Sequence, residues 1–282
     1  MLAEVIDLLA CPQCAAPVDL EDGTVVCERG HTFDVARQGY VTLLTGAATK
    51  FEGDSAEMIS CRANFLSAGH FDGIVAELSE AVGGMDDPAP RLLEIGAGTG
   101  HYLAGVLDAT TSARGIGLDV SKFAARRLAK SHPRAGAVVA DAWRALPVRD
   151  GALSHVLCVF APRNAAETHR VLDPGGELIV VGPTERHLAE LVGALAMVQV
   201  DDRKVERLDA TTAGRFTAVD RRTVEYTMRL GHDDIVNLVG MGPSARHLTP
   251  AGLAESVARL PEPLPVTASV TISRYRRVAA GG

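Results

Sequence analysis

Leu92-Leu93-Glu94-Ile95-Gly96-Ala97-Gly98-Thr99-Gly100-His101-Tyr102-Leu103 is the stretch whose reading decides the fold. Its apolar start reads as a buried strand, and the glycines that follow let the main chain turn sharply and approach a ligand. A dinucleotide fingerprint beginning at Gly96 needs glycine at position 101, where this chain has His101, and a phosphate-binding P-loop needs a lysine that is absent. What remains is E-x-G-x-G-x-G at a strand-to-helix turn, the kind of switch point where an open α/β sheet binds its ligand. From Pro90 outward, short apolar strands alternate with helical stretches, as in a parallel sheet covered on both faces. The pattern predicts strands at 91–95, 114–119, 136–140, 154–160 and 176–182, and helices at 121–131 and 164–172 capped by Ser121 and Asn164. Further strands at Thr223–Leu230 and Val266–Arg274, around a helical stretch at 233–240, are expected to join the same sheet. Asp119 closes the second strand and Asp141 the third, two carboxylate acceptors near the glycine turn.

Upstream of that sheet, Cys11-Pro-Gln-Cys14 is followed after twelve residues by Cys27 and after three more by His31. Three thiolates and an imidazole at this spacing suit tetrahedral Zn2+, and a four-ligand shell leaves no open position, so the ion is structural. Val18–Cys27, centred on Asp22-Gly23, reads as the hairpin that returns the second ligand pair to the first. Cys61 and Cys158 are left over, the latter within an apolar run that reads as buried strand.

With 282 residues, 47% hydrophobic and 22% charged, the chain has room for one large core and a small appendage and is not a disordered or low-complexity protein. No apolar run spans a bilayer, and Met1–Leu9 carries Glu4 and Asp7 where a signal peptide is basic, so a cytoplasmic location is expected. A net charge of −7 is awkward for a nucleic-acid enzyme. Residues 1–50 hold three basic residues against seven acidic, a balance of −4, so that module is no electrostatic clamp. Basic residues gather instead at Arg126, Arg127, Lys130 and Arg134, at Arg203, Lys204 and Arg207, and at Arg274, Arg276 and Arg277.

The E-x-G-x-G-x-G turn resembles motif I of the class I methyltransferases, in which it holds the methionine part of S-adenosylmethionine. On that resemblance Asp119 accepts the ribose hydroxyls, Asp141 lies near the adenine amine, and Glu94, Gly96 and Gly100 belong to the cofactor site. The whole chain, through Gly30-His31-Thr-Phe-Asp34, Asp54-Ser-Ala-Glu-Met58, Ala68-Gly-His70-Phe71, Phe160-Ala-Pro-Arg-Asn164, His187-Leu-Ala-Glu-Leu191 and Met241-Gly-Pro-Ser244, resembles the large-subunit (23S) ribosomal RNA guanine-N1-methyltransferases, in particular the tylosin-resistance type of actinomycetes. This implies an α/β, class I (Rossmann-like) methyltransferase fold over 90–282, a zinc-ribbon-like module over 1–50 and a helical linker over 51–89. It places zinc on Cys11, Cys14, Cys27 and His31, and cofactor contacts on Gly98, Thr99, His187 and Phe71, the last a tyrosine in some relatives. Arg246 stands where relatives tend to carry tryptophan. The resemblance further implies a homodimer whose zinc modules form a cleft for an RNA hairpin, and a product that hinders macrolides.

For methyl transfer, the loop after the fourth strand is expected beside the cofactor's methyl group, with Phe160 stacking on a flipped guanine and Arg163 and Asn164 addressing its polar edge or a phosphate. Asp54 and Glu57 are conceivable proton acceptors, read more simply as surface or cap residues. His70, His132 and His247 have no partner visible in sequence. Two rival readings stay open at this level: a small-molecule methyltransferase of the same fold, and a non-catalytic RNA- or protein-binding module.

Overall fold

Two residues, Asp22 at φ 45° and Gly23 at φ 80°, reverse the chain between β1 (Val18–Glu21) and β2 (Thr24–Cys27). Positive φ at both centres is the hairpin turn that matches strand twist, and it sets the register Glu21 opposite Thr24. A third strand, β3 (Thr32–Asp34), completes this small antiparallel sheet as the expected hairpin folds back on itself. The protein is described here from a computed structural model, which covers residues 1–44, 52–84, 87–195, 204–242 and 249–279. Lys50, Arg203, Arg246, His247 and the Lys204 side chain lie outside the described residues.

The large sheet forms around β5 (Arg91–Ile95), with β4 (Tyr40–Thr42) at one edge. The helices α1 (Ala56–Ser67), α2 (Asp72–Gly83), α3 (His101–Ala109) and α4 (Lys122–Leu128) alternate with or precede β6 (Arg114–Asp119) and β7 (Ala135–Val139). Next come β8 (Leu153–Val159), α5 (Ala165–Val171), β9 (Leu172–Pro183), α6 (Ala189–Ala194) and α7 (Lys204–Thr212). A long antiparallel pair, β10 (Phe216–Leu230) and β11 (Leu264–Arg277), encloses α8 (His232–Gly240) and α9 (Pro250–Val257). The order is β10-β11-β9-β8-β5-β6-β7-β4; β11 runs antiparallel to β9, and the strands from β9 to β4 are mutually parallel. The C-terminal strands therefore join the main sheet as expected. Because β5 sits between β6 and β8, connections leave it in opposite directions, and the crevice at its carboxyl end is the topological switch point.

Strand residues alternate between two cores. Leu92, Ala137 and Val139 face α1–α4 with Phe65, Leu78 and Leu103, whereas Leu93, Ile95 and Val138 face the opposite side with Leu2, Val5 and Leu9. On that second side the β7–β8 connection carries no helix, and the 3₁₀ turn Leu2–Leu8 covers the sheet instead. Leu9 bridges Val148, and a Cβ on Gly136 would stand 2.2 Å from Val5 Cγ2, so the glycine is what lets the turn press on β7. Arg114 clamps it with a bidentate pair to Asp7 at 2.6 and 2.8 Å, which holds that carboxyl below its usual range. β4, inside the span expected to belong to the zinc module, hydrogen-bonds to β7. Helix α4 is shorter than the expected 121–131. Its last N–H groups tighten to i−3 carbonyls at Lys130 and Ser131, and Pro133 forbids further helix. No helix among the described residues is long and apolar enough to cross a membrane.

Candidate active site and metal centre

The zinc ligands are presented by two tight turns, of five residues after Cys11 and four after Cys27, each closed on a cysteine carbonyl. After Cys11, Ala15 adopts φ 58° and its N–H returns to the Cys11 carbonyl at 2.8 Å; after Cys27, Gly30 adopts φ 84° and returns to the Cys27 carbonyl at 2.7 Å. Cys11 Sγ and Cys14 Sγ each lie 3.5 Å from His31 Nδ1, and Cys14 Sγ lies 3.5 Å from Cys27 Sγ. All four ligand atoms fall within 4.8 Å of one another, spacings that fit a tetrahedron with Zn–S bonds of about 2.3 Å. Burial pushes the Cys27 thiol up, but the Arg29 N–H at 3.4 Å and the facing His31, Cys14 and Cys11 outweigh it and hold it down to about 6. A thiolate is the form that binds metal, and four protein ligands close the shell, so the role is structural.

At the end of β5 the main chain is bare by necessity. Gly96, Gly98 and Gly100 have φ of 68°, 55° and 81°. A Cβ on Gly96 would meet Ala161 Cβ at 2.8 Å, and one on Gly100 would meet Leu128 Cδ1 and Ser131 Oγ at 2.6 Å. Asp119, at the end of β6, ties the turn in place: Oδ2 accepts the Gly98 N–H at 2.9 Å and Oδ1 the Ser121 N–H at 2.8 Å. Each oxygen keeps a second lone pair, the acceptors that a ribose diol requires. Asp141 is set by the Trp143 N–H at 2.9 Å.

A cavity of about 600 Å³ opens over these groups, within the usual size of a small-molecule site. It brings together Gly96, Gly98, Asp119, Asp141 and Phe160 of the expected residues. Thr99 faces a neighbouring cavity of about 530 Å³ with His101, Arg127 and Lys130. Glu94 is buried beneath the turn, where Oε2 accepts the Leu103 N–H at 3.0 Å and so pins the start of α3. Burial, then the nearby Asp119 charge, push its acid up to about 8, against the pull of the Leu103 N–H. It is a neutral brace at neutral pH and acts on the site through α3.

Phe160 follows β8 at φ 52°, a left-handed conformation unusual for an aromatic residue, and its ring is 40% exposed at the cavity rim. Behind it lie His187, stacked at 5.7 Å between centroids, and the buried Phe71 at 6.2 Å. His187 Nδ1 accepts the Ser269 N–H at 3.1 Å. Asn164, expected at a base edge, has both polar side-chain atoms committed: Oδ1 accepts the Glu167 N–H at 3.3 Å as the cap of α5, and Nδ2 donates to the Ala142 carbonyl at 3.2 Å. Arg163 is not among the residues lining the cavity.

Asp54 pairs with Arg62 at 2.6 Å in the cavity wall, not at the plain surface position read for it, whereas the exposed Glu57 accepts from Ser55 Oγ at 2.8 Å in the first turn of α1. Cys158 is buried in β8, which pushes its thiol up to about 12. His70 and His132 prove to face Asp234 and Asp108 at 3.2 and 3.3 Å. Arg274 and Arg276 both bind the fully buried Glu177 at 2.9 Å and are not a free basic face. Sequence reasoning missed Met58, Arg62 and Trp143 in the cavity wall, since no spacing rule links α1 or the β7–β8 loop to the glycine turn.

The RlmA N-terminal zinc-ribbon model matches residues 9–47, and a methyltransferase domain model matches 92–176. Across 98% of the chain and 99% of the relative, the sequence is 47% identical to the 23S rRNA (guanine(748)-N(1))-methyltransferase of Streptomyces fradiae. The chain belongs to the 23S rRNA guanine-N1-methyltransferase family. A relative from Micromonospora griseorubida, provisionally named as a 23S rRNA (guanine-N(1)-)-methyltransferase, is 44% identical over 99% of the chain and its own full length. The YcgJ protein of Bacillus subtilis, 15% identical, shares the fold with a TM-score of 0.50 over 73% of this chain and 98% of its own. The family's cofactor, S-adenosylmethionine, fits the crevice: bare glycine backbone, and carboxylates at Asp119 and Asp141 with the acceptor chemistry that its hydroxyl and amino groups call for. Its structural zinc fits the Cys3His cluster.

Proposed function

We propose that this protein methylates N1 of a guanine in a hairpin loop of 23S rRNA. The observation that carries this reading is that the glycine turn after β5 and the exposed Phe160 after β8 share one cavity, in a chain similar over its whole length to enzymes of that activity. S-adenosylmethionine supplies a methyl group already activated on a sulfonium, so the protein's task is alignment with the guanine and removal of the N1 proton. Phe160, backed by His187 and Phe71, offers a face on which an unstacked base rests. Arg163 reaches the base edge or a phosphate, and Asn164 holds the Phe160 loop to the Asp141 loop. Glu94, Gly100 and Thr99 shape the cofactor turn from behind, and His187 and Phe71 act on the site through the Phe160 ring that they back.

Arg126, Arg127 and Lys130 on and after α4 supply the positive charge that the acidic zinc module lacks, Arg126 lying 5.6 Å over the exposed Phe123 ring. The same reading takes the working form as a cytoplasmic homodimer whose product confers macrolide resistance, on the strength of the actinomycete-type resemblance.

The test is incubation of the purified protein with unmodified 23S rRNA and donor labelled at the methyl carbon, followed by reverse transcription, which an N1-methylguanine blocks. One strong stop at a loop guanine, with binding that weakens steeply as salt rises, is expected. Label that stays out of RNA, or goes to an unrelated small molecule, would sink the reading.

A further inference from the structure

The cavity wall is acidic, with Glu52, Asp54, Asp119 and Asp141, and Arg62 is its one cation among the described residues. That arginine rises from α1, in the stretch expected to be only a linker, and lies across the glycine turn: a Cβ on Gly98 would stand 3.1 Å from its Cδ and 3.5 Å from its Nε. Two bonds fix the guanidinium. Nη2 donates to Asp54 Oδ2 at 2.6 Å and to the Met241 carbonyl at 3.0 Å, joining α1 to the end of α8. Nε is buried and has no hydrogen-bond partner among the described residues. A buried donor left unpaired is costly even on a partly exposed side chain such as this one, and such groups in native proteins are normally satisfied by a ligand or another polar atom.

S-adenosylmethionine carries positive charge at sulfur and at its amino group and a single negative charge, the methionine carboxylate. Acidic groups in the wall suit the first two. The carboxylate has one complementary partner there.

We propose that Arg62 receives the methionine carboxylate of the donor, with Asp54 as the counter-ion that orients the guanidinium. Planar, multiply donating arginine suits a carboxylate in a way that lysine does not. The inference rests on the cofactor reading of the crevice and goes further by making α1 part of the donor site.

The test compares calorimetric binding of S-adenosylhomocysteine, which has the carboxylate, with that of 5′-methylthioadenosine, which lacks the whole amino-acid portion. In the Arg62→Met variant the first should bind about 10- to 100-fold more weakly, the loss typical of a charged hydrogen bond, while the second changes by less than about twofold. Arg62→Lys should recover part of the lost affinity, and it serves as the readout should Arg62→Met fail to fold, with S-adenosylhomocysteine alone weakened. Equal weakening of both ligands, or no change in either, would overturn the role of Arg62 and leave the crevice reading standing. Wild-type protein that binds neither ligand would overturn the crevice reading and this inference with it.

Discussion

The metal centre and the crevice are built by opposite strategies. Four zinc ligands come from a stretch of about twenty residues, each pair set by a local turn with its own N–H returning to a cysteine carbonyl. The crevice draws on positions from Glu52 to Met241 and exists only when β5, β6, β8 and α1 are assembled. Their electrostatics differ in the same sense: the cluster holds a thiol down so that it is charged, whereas the crevice floor pushes Glu94 up so that it is neutral. A local site borrows its stability from an ion, and a non-local one inherits it from the packed sheet.

Chelation should produce the largest effect and the sharpest separation. Structural zinc in small modules contributes roughly 10–16 kcal/mol, so β1–β3 should lose all amide protection in hydrogen exchange when zinc is stripped. The turn Leu2–Leu8 and β4 are held to the sheet by apolar packing and backbone bonds, and β7 should stay protected. Simultaneous loss at β7 would break the comparison.

Gly100→Ala attacks the other side. A positive φ and a Cβ 2.6 Å from Leu128 and Ser131 force the turn to shift, at about 2–4 kcal/mol. Donor affinity should fall by about 100-fold in calorimetry while zinc content measured by atomic absorption stays at one ion per chain.

Glu94→Gln tests the neutral brace. The folded-state acid, near 8, lies above its unfolded value of 4.5, so the folded protein holds the extra proton between those limits. Stability from this group is complete below about pH 4.5 and drains away as pH rises toward 8. Glutamine keeps an acceptor for the Leu103 N–H and carries no charge. Urea unfolding should therefore show wild type losing about 3 kcal/mol relative to the variant between pH 5.5 and 8; parallel pH profiles would refute a buried neutral acid.

The smallest expected change is in Phe160→Ala. Loss of one stacking face should lower turnover on RNA about tenfold, with donor binding and zinc content unaltered. A variant with wild-type turnover would remove Phe160 from the substrate site.

Legibility in the sequence followed the same division. The Cys-x-x-Cys and Cys-x3-His spacing and the Asp22-Gly23 turn are local chemistry, and the structure holds them as read. Strands β5 to β9 were legible within a few residues because buried parallel strands are continuous apolar runs bounded by glycine and proline. Phe160 was expected as a strand end and instead turns out of the sheet at positive φ, a conformation no side-chain pattern encodes. Tyr40–Thr42 is too short to announce that it extends the main sheet beside β7.

The sequence by itself determined the metal and, through the resemblance of its glycine turn to motif I, indicated the donor class, because both rest on residue types at short, fixed separations: glycines where the backbone must bend to positive φ, sulfurs where a tetrahedral ion needs four ligands. Only the tertiary structure decided that Arg62 lies over Gly98, that Asn164 spends its amide on Ala142 and Glu167, and that Arg274 and Arg276 neutralise Glu177. Those pairings join residues far apart along the chain, and their energies depend on distances and burial that arise only when the sheet has brought its strand ends together.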